Sequence, residues 1–218
     1  MSTLDDIAWT LNMRGTDVHC NPVFVSYLVI EHEKTTLFVD NDKLTSEVST
    51  YLAMLSIKVL PYNEVEKYLK RDYFAYNILL DPNETNSYLV ACAKEGRAAV
   101  VLTTSPIPEM KAVKNETEIQ GFHNAMKRDG VAMVKFLKWL IPAVKAGHET
   151  EISLDKKLTY LRSQQPLFRD SSFDTIVGYE HHGAIVHYEA TPETDIAIEP
   201  HGFVLIDSGA QYQDGTTD

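Results

Sequence analysis

Apolar positions along the first half of the chain read as short strands alternating with short helices. Residues 23–30 form a nearly continuous apolar run, rich in β-branched and aromatic side chains, which suits a strand buried on both faces. Residues 35–39 follow a charged turn and are expected to return as the second strand of a hairpin. Residues 7–11, closed by Arg14-Gly15, read as a short strand, as do residues 57–60, 77–80 and 98–102. Between them, residues 45–55 place Val48, Leu52 and Leu55 at helical spacing, and residues 63–70 and 86–94 are short helix candidates. Strands alternating with short helices predict a small domain of the α/β (α+β) class.

Ser105-Pro106-Ile107-Pro108 is the expected boundary, because two prolines at alternate positions favour extended chain. It divides the chain into 1–107 and 108–218. Beyond it the period changes to 3.6. Asn115 with Glu118 forms a capping-box pattern, and Ile119, Phe122, Met126, Met133, Phe136, Leu140 and Val144 make one apolar stripe, expected to be buried. Asp129 interrupts that stripe, which predicts a polar contact there. Gly147 ends the helix, and Thr150 caps a second one with Ile152, Leu154, Leu158 and Leu161 inward. Residues 173–188 and 203–218 mix glycine, β-branched residues and turn signals, and read as antiparallel sheet.

Composition narrows the functional classes. The chain has a net charge of −11. Between residues 166 and 218, ten carboxylates face a single basic residue, Arg169. That balance argues against nucleic-acid binding and against docking on an anionic membrane. It leaves two readings of the acidic end, a solvated acidic face or a place that attracts cations. Cys20 and Cys92 are far apart in no ligand-like spacing and are expected to be free thiols. The N-terminus has neither the basic nor the apolar region of a secretory signal, and no apolar run reaches membrane-spanning length. A cytoplasmic protein is the expectation.

The acidic end holds the only dense set of chemistry-bearing residues: His181, His182, His187, His201, Asp207, Asp214 and Asp218. Asp207 directly follows the apolar run Val204-Leu205-Ile206, where an unpaired carboxylate is costly. A hairpin centred between Tyr212 and Gln213 would set Asp207 opposite Asp218, with Cβ atoms about 4.5–5.5 Å apart. That spacing suits a pair of cations, which sit about 3.5–4 Å apart in dinuclear hydrolytic sites. The obvious turn, Asp214-Gly215, centres the hairpin elsewhere, so the pairing would need a bulge, for which Gly209 is available. Two surface carboxylates beside an ordinary hairpin have the same spacing. His187 ends a strand-like run, and His181-His182 reads as a solvated turn.

One resemblance covers nearly the whole chain. Leu205-Ile206-Asp207-Ser208-Gly209-Ala210-Gln211-Tyr212, followed by Asp214-Gly215-Thr216-Thr217-Asp218, resembles the metal-binding segment of the aminopeptidase P (Xaa-Pro aminopeptidase) family of pita-bread metallopeptidases, M24. Ile7-Ala8-Trp9, Asn12-Met13-Arg14-Gly15, Asn21-Pro22-Val23-Phe24 and Gly183-Ala184-Ile185-Val186-His187-Tyr188 resemble that family in order and spacing. The resemblance implies a creatinase N-terminal-like α/β middle domain over 1–107, followed by the first half of a pita-bread catalytic domain over 108–218. It implies that Asp207 binds one of two divalent ions, usually Mn²⁺, that Asp218 bridges both, and that His187 lies beside the substrate. The reaction implied is release of the residue before proline at the N-terminus of a peptide, by attack of a metal-bridging hydroxide. Peptides with proline second are the expected partners, and a homodimer accords with the family's habit. The family's remaining ligands, one His and two Glu, follow the Asp pair and are not in these 218 residues. The chain is therefore expected to be a fragment, inactive by itself. Prolidase, or a metal-free binding module on the same fold, are the alternative readings.

Overall fold

The computed structural model describes residues 1–218. The chain divides into two compact units, Met1–Val18 with Pro22–Val113, and His19–Asn21 with Lys114–Asp218.

In the first unit, α1 (Leu4–Leu11) is followed by the hairpin β1 (Ser26–Ile30) and β2 (Thr35–Val39), then α2 (Ser46–Met54) and β3 (Ile57–Pro61). β2 pairs antiparallel with β1 and parallel with β3, giving a three-stranded sheet. The pleat sends alternate residues of β2 to opposite sides. Leu37 and Val39 pack with Ile7, Leu11, Leu28 and Leu52, whereas Phe38 packs with Tyr68, Leu89 and Cys92. Tyr68 comes from α3 (Val65–Leu69) and Leu89 and Cys92 from α4 (Ser87–Glu95), and the parallel pair β4 (Asn77–Leu80) and β5 (Ala99–Leu102) flanks α4 in sequence.

Two sequence expectations fail in this unit. Residues 7–11 belong to a helix. Leu4, Ile7, Ala8 and Leu11 share one face at helical spacing, and Asp5 and Asp6 in the first turn interact favourably with the helix dipole. The run 7–11 resembles a strand by itself, and Leu4 is the position that sets its spacing as helical. The second failure is at Pro106 and Pro108, which open α5 (Ile107–Ala112). Proline is tolerated in a first helical turn, where its missing N–H has no intrahelical partner.

The second unit is built on α6 (Glu116–Ala146) and α7 (Glu151–Ser163). Both begin with a full capping box, Asn115 with Glu118 and Thr150 with Ser153. Phe136 of α6 and Leu154 and Leu158 of α7 pack with Val177, Tyr179 and Ile198. β7 (Ile176–Tyr179) and β8 (Val204–Asp207) form one antiparallel pair. β6 (Phe168–Ser171), β9 (Ala210–Tyr212) and β10 (Gly215–Thr216) form another antiparallel sheet, in the order β10-β9-β6. The predicted stripe of α6 is buried only towards its C-terminal end. Ile119, Phe122 and Met126 are exposed, and the buried line in that half is Gly121, Ala125, Asp129 and Ala132. Small side chains bring the helix backbone close to its neighbour: a Cβ on Gly121 would lie 1.9 Å from the Asp214 carbonyl oxygen.

Candidate functional site

Asp207 is the last residue of β8, with Ile176 as its cross-strand neighbour, and its side chain is exposed. The chain then leaves β8 and enters β9 through Ser208-Gly209. In the following hairpin Tyr212 faces Gly215 and Gln211 faces Thr216, so the turn is Gln213-Asp214. Thr217 therefore meets Ala210, donating its N–H to the Ala210 carbonyl at 2.9 Å and accepting from the Ala210 N–H on its hydroxyl at 3.0 Å. Asp218 falls beside Gly209 and not opposite Asp207. The direct pairing expected from the sequence is absent because the hairpin centre is one residue later than the symmetric one, and because Asp207 belongs to a different ladder. Gly209 is needed here: a Cβ would lie 2.2 Å from the Thr217 carbonyl oxygen and from Ser172 Oγ.

A buried ion pair fixes the Ser208-Gly209 link. Arg162, 1% exposed, donates to both carboxylate oxygens of Asp129 at 2.9 Å. It also donates to the Ser208 carbonyl at 3.1 Å and the Gly209 carbonyl at 3.3 Å. Tyr212 donates its hydroxyl to Asp129 at 3.0 Å. Burial first, and the Asp129 carboxylate second, push the Tyr212 phenol well above its usual range, so it stays a donor. On the other side, Ser172 Oγ donates to the Thr217 carbonyl at 2.9 Å. The backbone immediately after Asp207 and immediately before Asp218 is thus held by buried polar groups. Their own carboxylates are exposed and make no hydrogen bond or ion pair with the protein. Oxygen donors left free on a fixed backbone, with no cationic side chain bound to them, fit a hard divalent cation. They offer two carboxylate groups, fewer than such a cation takes.

Asp214, in the turn, is pinned by Arg128 through two parallel hydrogen bonds of 2.6 and 2.7 Å. The Arg128 guanidinium holds its carboxyl below the usual carboxylate range. It is a structural residue of the turn and not solvated charge.

His187 lies in the loop after a 3₁₀ turn, Glu180–Ala184, and not in the strand that its apolar neighbours suggested. It is exposed, with φ +55°, and no hydrogen bond joins it to Asp207 or Asp218. A buried carboxylate anchors its neighbour. Glu151, with no exposed surface, accepts from the Tyr179 N–H at 2.7 Å and the Tyr188 hydroxyl at 2.9 Å, and lies 2.9 Å from His182 Nδ1. His182 was expected to be solvated with His181. It is instead packed against Glu151, its ring centroid 4.4 Å from that of Tyr188. Glu151, Arg162 and Asp129 carry the local architecture, and of these the hydrophobic pattern signals only Asp129, as a polar break in an apolar stripe.

Residues 1–118 match the Creatinase/Prolidase N-terminal domain, and residues 120–218 match metallopeptidase family M24. The chain is 44% identical to Xaa-Pro aminopeptidase 1 of Dictyostelium discoideum over 224 residues, which cover all of this chain and 35% of that protein. It is 38% identical to aminopeptidase P2 of Arabidopsis thaliana over 249 residues, again all of this chain and 35% of the relative. Among solved structures it superposes on the X-prolyl aminopeptidase of Caenorhabditis elegans with a TM-score of 0.90 and 34% identity. That match covers 98% of this chain and 36% of the other, which is described as a cytosolic enzyme with a di-nuclear active site. A prolidase from Pyrococcus horikoshii shares the fold at a TM-score of 0.67 and 20% identity. The chain spans about a third of the length of the curated relatives it matches. With its creatinase-type N-terminal domain and its M24 segment in one polypeptide, the chain belongs to the creatinase/prolidase group of M24 metallopeptidases and has their pita-bread-type mixed fold.

Proposed function

We propose that these residues are the middle domain (1–107) and the first half of the catalytic domain (108–218) of a metal-dependent Xaa-Pro aminopeptidase. Its substrates are peptides with proline second, from which it removes the first residue. The observation that carries this reading is the pair of free carboxylates, Asp207 and Asp218, on backbone held by Arg162 and Ser172. In it, Asp207 and Asp218 would together help hold a pair of divalent ions, with Mn²⁺ favoured by the all-oxygen donors of this chain. When bound, the two cations lower the pKa of water and polarise the scissile carbonyl. His187 sits in the substrate-side loop and orients the peptide by hydrogen bonding. Its imidazole is free of protein partners, and Tyr188 beside it is tied to Glu151. Arg162 keeps Asp207 in place by holding the next two carbonyls. A cytoplasmic location draws support from the description of the C. elegans neighbour as cytosolic and from the free thiols Cys20 and Cys92. No helix is long and apolar enough to cross a membrane.

The test uses the full-length protein on a tripeptide with proline second and on the matching Xaa-Pro dipeptide. Cleavage of the tripeptide alone, with two metal equivalents, is the expected result, and D207N and D218N should each lower kcat/KM by at least about 10³-fold. Cleavage of the dipeptide would reassign the protein as a prolidase. A metal-free, inactive full-length protein not rescued by Mn²⁺ would reassign it as a binding module.

A further inference from the structure

The second compact unit includes three residues from near the N-terminus, His19–Asn21. They bring a thiol and an imidazole to the link between β6 and β7. His19 Nε2 lies 2.7 Å from Asp174 Oδ1 and 3.4 Å from Cys20 Sγ. One donor atom from each of the three residues lies within 4.8 Å of the other two. In a tetrahedral zinc site, metal–ligand distances of about 2.0–2.3 Å make ligand–ligand edges of about 3.3–3.6 Å. The nitrogen–sulfur edge already has that length. The nitrogen–oxygen edge is shorter because a proton joins His19 to Asp174, and it must open by about 0.6 Å when a cation replaces the proton. Both of these side chains are exposed and can make that adjustment.

Cys20 is the fixed corner. It is buried, its backbone holds φ +58°, and its carbonyl accepts from Gln211 Nε2 at 3.1 Å. A left-handed conformation at a non-glycine residue costs roughly 1–2 kcal/mol, and here it presents the thiol beside His19. The surroundings are acidic. A cleft of about 90 Å³ next to Asp174 is lined by Glu151, Asp155, Asp174 and Glu189, with no basic residue in its wall. Asp174 raises the His19 pKa, with smaller contributions from Asp170 and Glu189, while burial and then Asp174 and Asp170 raise that of Cys20.

We propose that His19, Cys20 and Asp174 form a mononuclear site for a thiophilic divalent cation of the Zn²⁺ class, with the fourth position taken by water. The site uses none of the residues assigned to the peptidase reading. The exchange balances as loss of the thiol proton from Cys20 and of the His19 imidazolium proton where present, both to solvent, against entry of one dication. Affinity therefore rises with pH.

The test titrates the 218-residue chain with Co²⁺, without added thiols. Expected are one equivalent bound with near-ultraviolet thiolate-to-cobalt charge-transfer absorption, and loss of that absorption when one equivalent of Zn²⁺ is added. Cys20→Ser should abolish the absorption, and His19→Ala and Asp174→Asn, both at exposed positions, should each weaken Co²⁺ binding by at least about tenfold. Asp207→Asn and Asp218→Asn should leave the absorption unchanged, which separates this site from the peptidase reading. Binding without charge-transfer absorption, absorption that persists in Cys20→Ser, or affinity unchanged in His19→Ala would each overturn the proposal.

Discussion

Single side chains decide whether the segment from Asp207 to Asp218 holds its shape. Arg162 and Asp129 are a buried ion pair in which each guanidinium N–H direction used finds an oxygen, on Asp129 or on the Ser208-Gly209 backbone. Removing one partner strands the other's charge in a largely buried place, with the Arg162 side chain 1% and the Asp129 side chain 12% exposed. R162M is expected to cost about 3–5 kcal/mol in urea unfolding. The double variant R162M/D129L should cost less than the two single changes added, by about 1–3 kcal/mol, because it strands neither charge. Asp214 gives a pH signature. An unfolded aspartate titrates near pH 3.9, and Arg128 holds the folded carboxyl below that. The stability from this pair is fully present above the unfolded value and is lost as pH falls through the folded one. D214N should therefore be less stable than the parent near neutrality, by about 1–2 kcal/mol, and the difference should vanish in strong acid. Stability curves collected from pH 7 downward check both the size and the sign.

At the scale of elements, α6 shows how one helix can have two kinds of buried face. Near its end Phe136 fills a core with Leu154 and Leu158. Near its start Gly121 and Ala125 let the helix approach the β9–β10 hairpin, and Ala125 packs with Ala210 and Tyr212. The two glycines of α6 should respond oppositely to alanine. At Gly121 the new methyl meets a backbone carbonyl, Asp214 O, that no rotamer change can move. G121A is expected to destabilise by about 2–3 kcal/mol through overpacking. At Gly130 a methyl meets nothing within 4 Å, so G130A should stabilise by about 0.5–1 kcal/mol through helix propensity. Thermal melts of the two variants beside the parent settle the contrast, and equal shifts would contradict the close approach at Gly121. The caps and most strands were legible, since the Asn115–Glu118 and Thr150 signals act over three residues. α1 resembles a strand over residues 7–11 because Leu4, which completes its apolar face, lies three residues upstream, and the buried face of α6 is hidden because Gly121, Ala125 and Ala132 carry little apolar signal.

For the whole molecule, the proposed peptidase roles need more ligands than Asp207 and Asp218 provide. The 218-residue polypeptide by itself is expected to release no residue from Xaa-Pro tripeptides and to hold no pair of Mn²⁺ ions through dialysis. Turnover by the purified chain would contradict this. Val186, Phe203 and Leu205 leave apolar surface open around the β7–β8 pair, so the same polypeptide should bind hydrophobic dyes.

The sequence by itself determined the alternation of strands and short helices, the two helix caps, the Asp207 to Asp218 motif and the family resemblance. The first three are local, set by contacts or spacings within a dozen residues, and the resemblance is a series of such local motifs in order along the chain. Only the tertiary structure decided where the charges went. Glu151 and Arg162 sit on a helix that reads as amphipathic and polar, yet both are buried, because Tyr179, His182, Tyr188, Asp129 and the Ser208-Gly209 carbonyls reach them from other elements. His19 meets Asp174 across 155 residues of sequence. Periodicity reports which side chains prefer to leave water. It carries no information on which distant partner makes burying a charge tolerable, and that depends on the register of strands and the crossing of helices.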